Sequence, residues 1–392
     1  MKQYLDLLRK VLQDGDPQYN ERTGHLMIVS AGDQSIYDLR EGFPRCTTKP
    51  SVSMRWVGEE VFWMLRGERN AKTLYDKGVD IWNRNAYQQY LKNKGLEHRI
   101  KKNTPEWEES FKEYEMRMKE PDFPLEDADL GPVYGYQWRN FDGNSIMKSI
   151  DKVLNEVNNN MDIPEELCLS IKKKFANRGT DQLLALIEGI KKDKGSRYHM
   201  LTAWNPNDLK DMALGPCHCI SQFTITRDRD LDLHMWQRSC DVYLGVPFNI
   251  VQYSLLNHLI AGETGFEARK FIHSYGNVHI YGGVSPRSDF LKQEDNLREL
   301  QKRVRNANIS EDFLSIREWY LQNAPEEDKY NRRKDHIPFV LYQLSLTPRI
   351  LPKIEIEKMP FFELIKQPAD KVIKLVGGDK PLRWDSKAVM AA

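Results

Sequence analysis

The run Phe248–Ala261, FNIVQYSLLNHLIA, restricts the fold more than any other stretch. At helical spacing its apolar residues spread round most of the circumference, so this helix has to be covered on nearly every side. That demands a layered core, and 40% hydrophobic residues in a chain of 392 suffice to bury one. The segment leading into it, Gln237–Asn249 (QRSCDVYLGVPFN), gathers Arg238, Ser239, Asp241 and Asn249 around a tight Leu-Gly-Val-Pro turn. Upstream, Met212–Phe223 (MALGPCHCISQF) sets Cys217 directly after Pro216 and before His218, at the head of a β-prone run. A thiol, cations suited to phosphate and an amide on a helix start are the parts of a nucleophilic site for an anionic substrate.

The remaining segments read in order. Residues 1–14 form an amphipathic helix, with Leu5, Leu8 and Leu12 on one face and Asp6, Arg9 and Lys10 breaking any export-signal core. Asp14–Asn20 reads as a turn-rich connector, followed by strands Leu26–Val29 and Ser35–Leu39 about a Gly32-Asp33 turn. Trp56–Arg66 predicts a helix burying Val57, Val61, Met64 and Leu65. Glu60 shares that apolar neighbourhood. Buried, it would be an acid/base group with a raised pKa; the pattern by itself favours a glutamate turned to solvent. Residues 87–127 read as a charged, helical, peripheral insertion. Ser145–Val157 and Asp181–Ile190 read as amphipathic helices joined by the polar link Asn158–Gly179. Strands are expected at Tyr198–Trp204, at the cysteine run and at Asp232–Trp236, with Phe266–Ser274 and Val278–Tyr281 as a hairpin-like return. A charged, mostly helical block from Pro286 to about Arg333 precedes a last strand region, Pro348–Glu355.

Several function classes are disfavoured. A net charge of +1 with no basic stripe gives nucleic acid and acidic membranes nothing to grip. No run approaches the roughly 18 apolar residues of a membrane span. Five irregularly spaced cysteines argue against a disulfide framework and for a reducing compartment, so a soluble, cytoplasmic protein is expected. Cys217-His218-Cys219 leaves three alternatives. A metal site lacks a second Cys/His pair at finger or ribbon spacing, with Cys46, Cys168 and Cys240 isolated. A cysteine hydrolase would need a distant base, for which His279 is available. A structural pair on one strand face is the third. The neighbouring arginines favour a reactive thiol, since cations depress thiol pKa values.

Taken together, ERTG, GFPRCTTK, EVFWMLRG, IW, LGPVYGYQWR, the SR…TAWNPNDL segment, MALGPCH, QRSCDVYLGVPFNI, HIY and PRILPK resemble the thymidylate synthase family along nearly the whole chain. In length and inserts the chain is most similar to the phage deoxyuridylate hydroxymethylases of that family. The resemblance implies an α/β (α+β) fold: one catalytic domain on a large mixed sheet, with surrounding helices and helical insertions at about 87–127 and 286–345. It implies that Cys217 is the nucleophile toward carbon 6 of dUMP, and that Glu60, His218 and Tyr134 are acid/base and water-ordering groups. Asn249 would read the pyrimidine 4-position. Arg22, Arg197, Arg238 and Ser239 would cradle the phosphate, with Gln237 and Asp241 also lining the substrate site. Arg197 would reach across from the partner of a homodimer. His279 and Tyr281 would contact the deoxyribose 3′-hydroxyl. Lys49, Trp82, Asp241, Leu244, Gly245, Phe248 and the C-terminal Ala392 would bind 5,10-methylenetetrahydrofolate, the co-substrate, without a metal.

An amide both donates and accepts, so Asn249 suits uracil, whereas an aspartate would favour cytosine. Several guanidinium groups suit a nucleoside monophosphate. Departures from the family pattern touch one phosphate contact, at Tyr198, and the folate side. Tyr198 replaces a second arginine, Asn85 replaces a second tryptophan and Gly282-Gly283 replaces a polar pair. The small polar Asn85 and the missing bulk at 282–283 turn the expectation toward water as the final reactant. That gives 5-hydroxymethyl-dUMP and tetrahydrofolate, with dTMP and dihydrofolate as the alternative.

Overall fold

A computed structural model describes the chain except residues 22, 51, 103, 160, 162, 228, 328–332 and 389–392. Its main sheet has six strands in the order β1-β2-β6-β5-β4-β3. These are β1 Asp16–Asn20, β2 His25–Asp38, β3 Met200–Thr202, β4 His218–Thr226, β5 Asp230–Asp241 and β6 Glu267–Tyr281. Every neighbouring pair is antiparallel except β5 and β6, which run parallel. A second, two-stranded sheet pairs β7 Lys353–Ile356 with β8 Ile373–Val376. The mixed sheet with surrounding helices is the α/β architecture expected.

Parallel neighbours need a crossover, and the apolar helix supplies it: Gly245–Thr264 joins β5 to β6 and lies across the sheet. Ile250, Val251, Leu255 and Ile260 are fully buried, each worth roughly 1.5–3 kcal/mol of transfer free energy. The helix is sandwiched between the sheet face carrying Phe223, Leu233, Met235 and Phe271 and the helix Met54–Leu65. Its sequence is apolar all round because both sides are covered.

The sequence expectations need correction at several places. The two expected strands about Gly32 are one 14-residue strand; Gly32 takes φ +75° inside it, a kink in a strand that is paired with β6 on both sides of the glycine. The hairpin-like return at 266–281 is likewise one strand, β6. Gly276 sits mid-strand because a Cβ there would lie 3.0 Å from the Arg238 carbonyl oxygen, so glycine marks close backbone approach, not a turn. The connector at 14–20 contains the exposed edge strand β1. The polar link 158–179 contains a helix, Glu165–Phe175, with glutamates in its first turn and lysines in its last, matching the helix dipole. The last strand is shorter than expected, and its partner β8 was not foreseen.

Both insertions are helical, and their buried side chains join the one main core. In the first, Tyr87 packs edge-on against Trp107, with centroids 5.1 Å apart, beside Phe111 and Tyr114. In the second, Arg287 and Asp335 form a buried 2.8 Å ion pair joined by the Tyr320 hydroxyl at 2.9 Å. This block is tied to the N-terminal helix Lys2–Asp14, where Arg9 donates to the carbonyls of Val304, Arg305 and Ala307. Among the described residues no helix is long and apolar enough to cross a membrane.

Candidate active site

The parallel pair brings the C-terminal ends of β5 and β6 to one side of the sheet, and antiparallel β4 begins there. Ser239 opposes Asn277, Asp241 opposes His279, and His218 pairs with Gln237. Cys217, immediately before β4, therefore meets the residues of the 237–249 segment. The fold thus assembles stretches that are far apart in sequence at one end of the sheet.

Cys217 is half-buried and held through its backbone: its N–H donates to the Tyr134 hydroxyl at 2.8 Å and its carbonyl accepts from Arg238 N–H at 2.9 Å. The Arg238 guanidinium donates to the carbonyls of Pro216 and Gly215, at 2.9 and 2.7 Å, so one cation braces the turn that carries the cysteine. Tyr134 itself has φ +27°, an uncommon backbone conformation for a tyrosine. The next residue must be glycine, since a Cβ at Gly135 would lie 2.2 Å from the Met64 carbonyl oxygen. Burial raises the Tyr134 phenol well above its ordinary range. His218 is buried between the rings of Tyr134 and Tyr253, with centroids at 5.4 and 5.1 Å. Burial lowers its pKa to about 4, with the Asn249 amide opposing the shift and Arg238 assisting it, so the imidazole is neutral near neutral pH.

Glu60 is not turned to solvent. It is buried, and burial pushes its carboxyl up to about 7, with the Trp82 bond opposing. The indole Nε1–H of Trp82 donates to one carboxylate oxygen at 2.8 Å, and the Gln252 side-chain amide donates to the other. From Gln252 a chain of buried amides continues. Asn249 donates to Gln252 Oε1 at 3.1 Å and accepts from Gln237 Nε2 at 3.0 Å. Gln237 also donates to the Ser239 carbonyl at 2.9 Å and bonds His273 Nε2 through its oxygen at 2.8 Å. The sequence reading missed Gln252 and His273. The signal for Gln252 was its position three residues after Asn249, a second polar group on one stripe of an otherwise apolar helix.

The other expected residues fall into three groups. His279 and Tyr281 end β6 with their rings 5.1 Å apart; His279 Nδ1 bonds Asn277 Oδ1 at 2.8 Å, and burial lowers its pKa. Asp241 Oδ1 accepts from the N–H groups of Tyr243 and Leu244, at 3.1 and 3.0 Å, which fixes the turn before Gly245; Leu244 and Phe248 stay half-buried beside it. Lys49 is buried, lies 3.8 Å from the Tyr243 ring centroid and donates to the Tyr243 carbonyl at 2.6 Å; burial lowers its pKa to about 8. The C-terminal segment crosses here. Leu382 N–H and Trp384 Nε1–H donate to the carbonyls of Thr47 and Thr48, both at 2.9 Å, and the Tyr243 hydroxyl donates to the Ser386 carbonyl at 2.8 Å. Arg197 stands apart, exposed just ahead of edge strand β3. Arg22 and Ala392 lie outside the described residues. Among those residues no cluster of three or more metal-ligating side chains occurs.

The glycine pair contradicts its expected effect. A Cβ at Gly282 would lie 2.7 Å from Leu291 Cδ1, and Gly283, at φ +82°, faces Asp335 and Arg287. The second insertion fills this space, so the glycines admit packing and leave no missing bulk.

The matched stretch runs over residues 2–376, which fit the family model for thymidylate synthase, and the chain belongs to the thymidylate synthase family, a family of folate-dependent one-carbon transferases. It is 38% identical over 316 residues to a thymidylate synthase of Malacoplasma penetrans, covering 80% of this chain and 92% of the relative. A thymidylate synthase of Mesoplasma florum is 38% identical, over 72% of this chain and 81% of its own. One from equine herpesvirus 2 is 37% identical, over 71% and 78%.

Proposed function

We propose that the chain is a single catalytic domain with two inserts that converts dUMP to dTMP, using 5,10-methylenetetrahydrofolate. The observation that carries this reading is the convergence on Cys217: a half-buried thiol on a turn braced by Arg238, with Asn249 and a buried Glu60 linked behind it. Cys217 Sγ adds to carbon 6 of the pyrimidine, which makes carbon 5 the nucleophile. Charge then grows on the 4-oxygen, where the N–H of Asn249 and the proton held near neutrality by Glu60 offset it. The carbon-5 proton leaves toward solvent ordered at Tyr134. His218, neutral and buried, serves as a hydrogen-bonding group and not as a cation.

The residues suit a folate. Leu244 and Phe248, half-buried, give apolar surface beside the Asp241 turn, and the 382–388 segment packs over Thr47 and Tyr243. When bound, the folate supplies a one-carbon unit and, for dTMP, the hydride that completes the methyl group. The protein's part is to exclude water from that carbon. Asn85, half-buried and polar on the helix Asn83–Asn93, favours the second reading, release of 5-hydroxymethyl-dUMP.

A homodimer completes the proposal. The sheet face away from the central helix exposes Ile36, Ile220 and Trp236 on three strands, with Ile220 directly opposite Trp236, and Arg197 lies at that sheet's edge. Exposed apolar side chains set among polar groups on an open sheet face are suited to a second copy. Cys217→Ser tests the nucleophile: turnover should vanish while dUMP binding, followed by calorimetry, persists. Appreciable turnover by this variant would remove Cys217 from the mechanism.

A further inference from the structure

The bonds running from Glu60 to Ser239 have a direction. An indole N–H only donates and an ionised carboxylate only accepts, so when Glu60 is ionised and Trp82 sits on one of its oxygens, the other receives the amide nitrogen of Gln252. That turns Gln252 Oε1 toward Asn249, where it accepts from Nδ2 at 3.1 Å. Asn249 Oδ1 is then left facing Gln237, whose nitrogen donates to it at 3.0 Å. The same nitrogen donates to the Ser239 carbonyl at 2.9 Å, and a backbone carbonyl cannot donate. The series is therefore pinned at the Ser239 end by a carbonyl that only accepts, and at the other end by Glu60 in its ionised form. Reversing Asn249 would set nitrogen against nitrogen at Gln237 and oxygen against oxygen at Gln252, in a buried setting where mismatched polar groups are costly.

We propose that Gln252 is a specificity-determining positioning residue: bonded to the Glu60 carboxylate, it turns its oxygen to the Asn249 amide and so helps set which pyrimidine edge Asn249 reads. This rests on the dUMP reading above. Gln252 takes one hydrogen of Asn249 Nδ2, while Gln237 and the His218 ring engage the amide oxygen, so the second N–H of Nδ2 is the position left for a ligand. Uracil offers a 4-carbonyl acceptor beside an N3 donor. Cytosine offers the reverse, an amino donor beside an N3 acceptor, and is matched only by a flipped Asn249. Selection against cytosine thus comes from the cost of that flip, and Gln252 enforces it on the side away from Gln237.

The test is the ratio of dCMP to dUMP dissociation constants, measured calorimetrically on the full chain for wild type, Gln252→Met and Gln252→Glu. Methionine keeps the volume but has neither the acceptor nor the donor. It should lower the ratio roughly tenfold or more, mainly by tightening dCMP. Glutamate keeps an oxygen toward Asn249 and shares one proton with Glu60, so the wild-type preference should be retained. If methionine weakens both nucleotides equally, or leaves the ratio unchanged, Gln252 only fills space and the proposal is overturned. Should the methionine variant fail to fold, the glutamate variant decides: loss of the dUMP preference there overturns the proposal. A wild-type chain that binds dCMP as tightly as dUMP would instead refute the dUMP reading itself.

Discussion

Replacing Trp82 by phenylalanine should move the Glu60 titration upward while leaving the ring in place. The indole N–H is a 2.8 Å donor to one carboxylate oxygen, and it opposes a burial effect that already holds Glu60 at about 7 against an ordinary 4.5. A hydrogen bond to a charged group contributes roughly 1.5–3 kcal/mol, so its removal should raise the midpoint by about one to two pH units. Phenylalanine can keep the edge contact with Tyr134, at 5.9 Å, and the tilted contact with Trp63, at 6.1 Å, so packing changes little. The sign of the stability effect follows from proton binding. A carboxyl with a raised folded pKa holds its proton more tightly folded than unfolded, so stability falls as pH rises from the unfolded value of 4.5 to the folded value near 7. That loss is about 3 kcal/mol in wild type, and in the variant it should extend by roughly one to two further pH units. Carbon-13 NMR of glutamate-labelled enzyme, with Glu60→Gln to assign the resonance, reads the midpoint directly. A midpoint at or below the wild-type value would refute the reasoning.

Two further outcomes follow from the packing and the proposed dimer. Gly282→Ala should destabilise the chain by about 1–3 kcal/mol, because the added Cβ falls 2.7 Å from Leu291 Cδ1; an unchanged urea midpoint would show that the second insertion does not fill that space. Mixing inactive Cys217→Ser with inactive Arg197→Ala should restore activity, up to about half of wild type per heterodimer, since one of its two sites then holds both residues. Persistent inactivity after verified subunit exchange would mean that Arg197 serves no site across the interface.

The local parts of the site were legible in the sequence. A helix apolar on all sides and a cysteine at the head of a strand declare themselves from spacing, and both lie where expected. What was not legible came from partners distant in the chain. Glu60 looked solvent-facing because its helix shows polar residues, but Trp82 and Gln252, 22 and 192 positions away, supply the donors that keep it buried. Gly276 and Gly32 looked like turns because glycine usually marks them; here the paired strands β2, β5 and β6 carry the chain straight through. The glycines at 282–283 looked like missing bulk because the residues that fill the space, Leu291 and Asp335, belong to an insertion whose docking no local pattern announces.

The central claim concerns the fate of the one-carbon unit, and product analysis in oxygen-18 water tests it most directly. Enzyme, dUMP and 5,10-methylenetetrahydrofolate should give dTMP without the heavy label, with dihydrofolate formed in equal amount. A 5-hydroxymethyl-dUMP product carrying oxygen-18, accompanied by tetrahydrofolate, would contradict the account and show that water reaches the carbon.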